Sequence, residues 1–304
     1  MERHLPADHR IAPPAPRRGG RWRKRLAPYA LTAPGGLWLL VLFVIPFFTM
    51  ASVSLQTGNI DIGFRQTFHL AEYAQGLGQY HTPLIRSLEY ATVVTIATLI
   101  VGYPVAYWIA FYAGTRKNMY LLLLLLPFFV SFVIRSLAWS FVLSDEGIVL
   151  STLRSWHLLP AGFHILATPW AVMAGIAYNA LPFTVLPLFV SLEKIDKRVV
   201  EAAGDLYADR RAVFLKVILP NTAPGIFAAF LLTFIPSAGD YVNAAILGGT
   251  STTMIGTKIQ DLFLGRTFDY PMASALSMVL MVGLLVGITA YARVLGTDSL
   301  GEYV

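Results

Sequence analysis

Few residues in this 304-residue chain are of a type that could do chemistry, and their placing points to binding and coupling rather than to bond breaking. Asp145 and Glu146 are adjacent carboxylates, but they fall in an expected loop, where solvated turn residues are far commoner than a general acid with its base. His4, His9, His69, His81, His157 and His164 are scattered over the tail and loops without ligand spacing, and are taken as ordinary loop histidines. There is no cysteine, which removes disulfides and thiolate metal sites. No G-x-x-x-x-G-K-[ST] phosphate loop occurs, so the chain is not expected to hydrolyse a nucleotide. G-x-S-x-G and H-E-x-x-H are missing too. What remains is two kinds of residue: ionisable or amide groups inside long apolar runs, namely Arg135, Asp240 and Asn179, and a charged stretch over residues 193–220.

Those runs set the elements that must position these groups. Hydrophobic residues make up 56% of the chain and charged residues only 13%, against about a quarter for a soluble domain. Crossing a bilayer as a helix takes about 20 mostly apolar residues. Such runs lie at about 37–55, 90–111, 119–143, 170–192, 217–238 and 272–294. They are continuously apolar, whereas barrel strands would alternate in polarity, so an all-α integral membrane protein of six transmembrane helices is expected.

Lysine and arginine are retained on the cytoplasmic side and therefore orient the bundle. Arg17, Arg18, Arg21, Arg23, Lys24 and Arg25 precede the first run, Arg116 and Lys117 follow the second, and Lys194, Lys197, Arg198, Arg210, Arg211 and Lys216 follow the fourth. The alternate loops hold little more than Arg65, Arg154, Lys258 and Arg266. Both termini are thus expected inside, and the formal charge of +6 is accounted for by topology rather than by nucleic-acid binding. Residues 1–28 are rich in Pro and Arg and read as a disordered basic tail, ahead of a membrane domain at 29–298 and a short tail at 299–304. The first apolar run has full spanning length and no small-residue cleavage site, so it is expected to stay in the mature protein.

Charged and amide groups at membrane depth are costly unless paired or facing a wet cavity. Arg135, in the outer half of the third run, reads either as a gate ion pair with Asp240 or as a cation reaching to the headgroups. Asn179 stands mid-run beside Tyr178 and Pro182, where it could face a cavity or bond a neighbouring helix. Tyr107, Trp108, Trp139 and Trp170 lie near expected span ends and read as an interfacial belt. Two outer segments, 56–83 and 243–271, are long enough to form structured docking loops, and Ile255, Ile259, Leu262 and Phe263 keep a helical period within the second.

Within 193–220, Val199, Val200, Ala203 and Leu206 recur at helical spacing, with Glu201 and Asp205 four apart on a neighbouring face. A short amphipathic helix is expected. Two readings of it stand: it lies in a partner's groove, or it rests at the membrane interface.

Glu201-Ala202-Ala203, with Ile218-Leu219-Pro220 downstream, resembles the EAA loop of the inner-membrane permeases of binding-protein-dependent ABC importers. Further stretches resemble the spermidine/putrescine branch: Leu88-Glu89-Tyr90-Ala91, Gly102-Tyr103-Pro104-Val105-Ala106-Tyr107, and the segment from Pro127 through Arg135 to Trp139. So do Tyr178-Asn179-Ala180-Leu181-Pro182-Phe183, Ser191-Leu192-Glu193-Lys194-Ile195-Asp196, Pro236-Ser237-Ala238-Gly239-Asp240-Tyr241 and Leu247-Gly248-Gly249. The likeness runs from about Leu31 to Arg293. One position departs from the family pattern: Tyr207 stands where a Gly is usual, with Gly204 three residues earlier, so either Asp209 carries the turn or the loop bends differently.

The resemblance implies a type I importer, MetI-like bundle that forms half of a pathway with a second permease, a copy of itself or a similar chain. It implies an ABC ATPase dimer, where ATP and Mg are used, and an external solute-binding protein; this chain itself would bind no cofactor and no metal. Glu201, Ala202, Ala203, Gly204, Asp205, Leu206, Tyr207, Ile218, Leu219 and Pro220 would couple to the ATPase. Arg135, Trp139, Tyr178, Asn179, Asp240 and Tyr241 are assigned to the pathway or gate for a small solute, a polyamine such as spermidine or putrescine. Asp240 beside Tyr241 joins an acid to an aromatic face, as a polyamine would require. The alternative is an ATP-independent secondary transporter or channel subunit, which would usually show an internal repeat with interrupted helices; no such repeat is found in the sequence.

Overall fold

The computed structural model describes residues 32–59, 62–160, 162–205, 209–265 and 268–294. Among them the chain is helical apart from one two-stranded hairpin. Four helices are long and apolar enough to cross a membrane, and two bent pairs bring the number of spans to six if each pair is one span.

The first helix, α1 (Thr32–Val53), is apolar along its length. The hairpin follows, β1 (Gln56–Asn59) antiparallel to β2 (Gly63–Gln66), with Gln56 opposite Gln66. Next comes α2 (Ala71–Tyr112), 42 residues long. At 1.5 Å per residue its two parts, which meet at a kink at Tyr80, add up to about 63 Å, twice the hydrocarbon thickness of about 30 Å. The second span was expected from residue 90, so the segment 56–83 is largely hairpin and helix rather than loop. The helix kinks ahead of Pro83, where Tyr80 leaves helical geometry (φ −113°, ψ 15°), which eases the clash of the proline ring with the Gln79 carbonyl.

The third and fifth apolar runs each fold as a bent pair of helices, a broken span or a re-entrant loop, which the runs themselves did not disclose. In the third, α3 (Lys117–Leu125) tightens through Leu126–Phe129 and then turns by 88° into a second half that contains α4 (Phe132–Leu143) and α5 (Ile148–Ser155). Pro127 begins the disturbance, and Val130 and Ser131 are extended. A long unbroken helix follows, α6 (Pro169–Glu193), started by Thr168, whose side chain accepts from Ala171 N at 3.4 Å, and by Pro169 with its preset φ. After α7 (Lys197–Asp205), the fifth span is α8 (Arg210–Asn221) and α9 (Ala223–Ala238), bent by 63° around Thr222. The segment 243–271 contributes most of α10 (Val242–Leu247) and α11 (Ile255–Leu264), the second on the expected period, and α12 (Tyr270–Val294) closes the described chain.

The centre of the bundle is where α2, α6 and α9 meet. Lipid offers no hydrophobic drive between helices, so close packing and hydrogen bonds hold them. A Cβ on Gly102 would sit 3.1 Å from Thr184 Cγ2, and one on Gly225 only 2.3 Å from Ser191 Cβ, so each glycine sets how near two helices come. Thr184 and Thr233 hydroxyls bond across the α6–α9 seam at 2.8 Å.

Candidate functional site

A cavity of about 510 Å³ lies among α4, α6, α9 and the start of α10, lined in part by Phe128, Phe132, Arg135, Asn179, Asp240 and Tyr241. The extended residues Val130 and Ser131 come between Phe128 and Phe132 in the chain, and irregular backbone at membrane depth is tolerated where it is covered by protein or lines a cavity. The break also aims Arg135. Leaving the bend in the first turn of α4, its guanidinium carbon rests 4.0 Å from the centre of the Phe128 ring and 5.9 Å from that of Phe132. Its Nε and Nη1 are buried and make no hydrogen bond.

Arg135 and Asp240 share this cavity but form no ion pair among the described residues. The expected gate pair is therefore not made, and the reason is local. Asp240 precedes α10 and caps it: Oδ1 accepts from Asn243 N at 2.8 Å, and Oδ2 from Asn243 Nδ2 at 2.7 Å. Both carboxylate oxygens are engaged, while the guanidinium is held on an aromatic face.

Asn243 connects these groups and was not singled out from the sequence. It is fully buried, and its Oδ1 accepts from Ser136 Oγ at 2.8 Å and from Asn179 Nδ2 at 3.3 Å. The bond to Asn243 is the helix-to-helix bond anticipated for a lone amide, and Asn179 also donates through Nδ2 to Gly175 O, one turn back on its own helix, at 3.1 Å. It faces the cavity as well, and its Oδ1 is left without a partner. A signal for Asn243 was present: Asp240 three residues ahead of it has the spacing of a helix cap.

Tyr178 stacks on Phe128 with ring centres 6.1 Å apart and meets Trp139 at 5.4 Å. Arg135, Trp139 and Tyr178 line a smaller recess of about 150 Å³. Trp139 is half-buried and packs against the cluster of Val94, Val172, Ile176 and Leu247. Tyr107 likewise packs inward, on Phe111 and Phe214. Trp108 and Trp170 are exposed, in keeping with a belt. Tyr241 is exposed where it meets the cavity.

The second candidate region gathers the cation-bearing turns at one end of the bundle. Lys117, opening α3, pairs with Glu193 at the end of α6. Asp196 starts α7, its Oδ1 accepting from Arg198 N at 3.0 Å. Val200 turns inward and packs, with Ile195, Val213 and Phe214, on a buried cluster that includes Ile109, Val185, Leu188, Leu192 and Ile218. The opposite side of α7 presents Val199, Glu201 and Ala202 to the surroundings, with Ala203 half-buried at the edge. Gly204 and Asp205 complete the helix; Leu206 and Tyr207 lie outside the described residues.

Asp209 does not take a left-handed turn. It is extended (φ −67°, ψ 159°) and caps α8, accepting from Ala212 N at 2.8 Å. Ile218 is 2% exposed, anchoring α8 to the bundle, whereas Leu219 is half-buried and Pro220 exposed. Thr222, at the bend, is buried and bonds Tyr103 Oη at 2.9 Å. The surface of α7 is thus fastened to α2, α6 and α9 through apolar side chains on its other side.

Over residues 37–294 the sequence matches the family described as binding-protein-dependent transport system inner membrane component. It is similar to the spermidine/putrescine transport system permease protein PotB of Escherichia coli K12, 32% identical over 251 residues that span 82% of this chain and 91% of that protein. In fold it is similar to a bacterial ABC transporter involved in the import of the acidic polysaccharide alginate, with a TM-score of 0.68 at 19% identity, covering 88% of this chain and 96% of that one. A second structure of the bacterial alginate ABC transporter, in complex with an alginate pentasaccharide-bound periplasmic protein, gives a TM-score of 0.66 at 20% identity over 92% and 98% of the two chains.

Proposed function

The chain belongs to the family of binding-protein-dependent transport system inner membrane components, as a multi-pass permease subunit of an ABC importer, and on that premise we propose that its cargo is a polyamine of the spermidine/putrescine type. The observation that carries the cargo is the likeness to PotB over most of both chains. The cavity beside the broken third span is the part of this chain that the cargo passes, with Arg135, Trp139, Tyr178, Asn179, Asp240 and Tyr241 on or beside its wall. A second permease supplies the other half of the pathway, and an external binding protein delivers the solute.

Energy enters from a separate ATPase dimer that uses ATP and Mg, and α7 is the part it grips. Glu201 and Ala202 are open to such a partner, and the small Ala202 side chain lets its surface come close. Because Val200 and Ile218 tie this end to one apolar cluster, a push on α7 moves the bundle as a lever and biases it between inward- and outward-facing states. The clustering of Lys117, Arg198, Arg210, Arg211 and Lys216 near this end supports a cytoplasmic position for it, with both termini on that side.

The test is spermidine uptake into vesicles holding the complete complex, with ATP inside and the binding protein outside. Wild type should accumulate spermidine only with ATP. Glu201→Lys and Ala203→Trp should abolish uptake while inserting into the membrane at normal levels, and normal uptake by these variants contradicts the coupling role. The two broken spans are a feature that ATP-independent transporters share; accumulation without ATP or ATPase would favour that reading instead.

A further inference from the structure

Three hydrogen-bonding atoms on the cavity lining are buried and unpartnered: Nε and Nη1 of Arg135 and Oδ1 of Asn179. The asparagine oxygen is the more informative, because its direction is imposed from a distance. Asp240, once ionised, can only accept, so the amide of Asn243 must turn its NH₂ toward it. Asn243 Oδ1 then faces Ser136 Oγ and Asn179, and can be met there only by donors. Asn179 must therefore present its NH₂ to Asn243 and to Gly175 O, which leaves its own oxygen unbonded. Reversing the Asn179 amide would set oxygen against two acceptors. The side chain is 7% exposed, and a buried acceptor left unmade costs about 1–3 kcal/mol.

We propose that the Asp240–Asn243 pair is a positioning device that holds Asn179 Oδ1 as an acceptor for an N–H of the passing cargo, making this cavity a subsite for a protonated amine. The inference rests on the polyamine reading and adds the residues that recognise the amine. The Phe128 face is already taken by the guanidinium of Arg135, so it offers no free surface to a second cation, and the recognition falls to the acceptor. Arg135 and Asp240 bring one formal charge of each sign to the lining, so an incoming ammonium meets neither a bare acid nor a bare base. Such a site holds its ligand weakly, as a transport route requires.

The device is tested with the full complex in vesicles and spermidine as the probe, measuring uptake against concentration. Asn179→Leu removes the acceptor and should raise the KM for uptake about tenfold or more, the factor expected for one charge-assisted hydrogen bond. Asn243→Leu should raise KM by a similar factor, and the double variant should be no worse than either single one, because Asn243 acts through Asn179. If the two effects multiply, or if Asn179→Leu keeps the wild-type KM, the positioning role is overturned while the polyamine reading stands. If the wild-type complex takes up no spermidine or putrescine at all, the polyamine reading fails and the amine subsite fails with it. Should a variant reach the membrane poorly, Asn179→Gln decides: it keeps both the NH₂ and the acceptor oxygen of a carboxamide, and a KM nearer to wild type than that of Asn179→Leu supports the proposal, whereas equal loss in both overturns it.

Discussion

The cation-rich end and the mid-bundle cavity are built on opposite principles. At the end, α7 and α8 are fastened by apolar side chains, Val200, Val213 and Ile218, and every charge among the described side chains there points outward or is paired at the surface, as Lys117 is with Glu193. Around the cavity the order is reversed: polar groups are inside, bonded in a chain from Asp240 through Asn243 to Ser136 and Asn179, and the chain ends on an unsatisfied oxygen. On the proposed roles, a region that transmits force gains from cohesion without direction, which tolerates sliding and tilting. A region proposed to recognise a solute needs fixed direction, and hydrogen bonds supply it.

That contrast can be broken experimentally, beginning with the largest effect. Replacing Glu201 by Lys should reduce uptake to background, yet leave the thermal stability of the complex within a degree or so of wild type, since Glu201 is exposed. A stability loss comparable to the activity loss would show that α7 serves the fold rather than the coupling. Gly225→Val should do the reverse. Its Cβ would meet Ser191 Cβ at 2.3 Å and Pro187 O at 3.0 Å, forcing α6 and α9 apart at a cost of about 1–3 kcal/mol, read as a lowered melting temperature in detergent.

Ile218→Ala should cost about 2 kcal/mol through lost packing alone, and should lower melting temperature without altering the KM of whatever transport survives. The smallest effect is expected from Thr184→Val, which removes one seam hydrogen bond worth about 0.6 kcal/mol. Its melting temperature should barely move. If Ile218→Ala changed KM, or if Thr184→Val unfolded the protein, the division between a cohesive end and a directional cavity would be wrong.

Much of the architecture was legible because length and apolarity are themselves the physical requirement for crossing a bilayer. The fourth and sixth runs match α6 and α12 to within a few residues. The helical period around Ile255–Leu264 was legible for the same reason, since one side of α11 is buried and the other is not. The broken spans were missed because an average over apolar residues is blind to the backbone. Pro127 and the sequence around Thr222 interrupt hydrogen bonding without lowering hydrophobicity. The start of α2 was missed for the converse reason: Ala71–Tyr90 is helical but too polar to register as a span.

At the site, Arg135, Asn179 and Asp240 stood out because polar groups are expensive in a membrane, yet their mutual bonding could not be read. Distance in sequence hides that Ser136 and Asn243, 107 residues apart, bond each other. The expected Arg135–Asp240 pair failed on the same ground, because charge complementarity alone does not reveal that a neighbouring helix end has already claimed the carboxylate. Asp209 was considered for a left-handed turn and instead caps a helix, which is the commoner use of an aspartate ahead of a helical run.

The most direct measurement of the central claim follows ATP hydrolysis and spermidine accumulation together in vesicles carrying the whole complex, for wild type and for Ala202→Trp. The account predicts that wild type links the two, with hydrolysis rising when loaded binding protein is added. It predicts that a bulky side chain on the exposed side of α7 separates them, leaving the chain inserted and accumulation absent. Undiminished ATP-driven accumulation with Trp at position 202 would contradict the claim that the importer is energised through that helix.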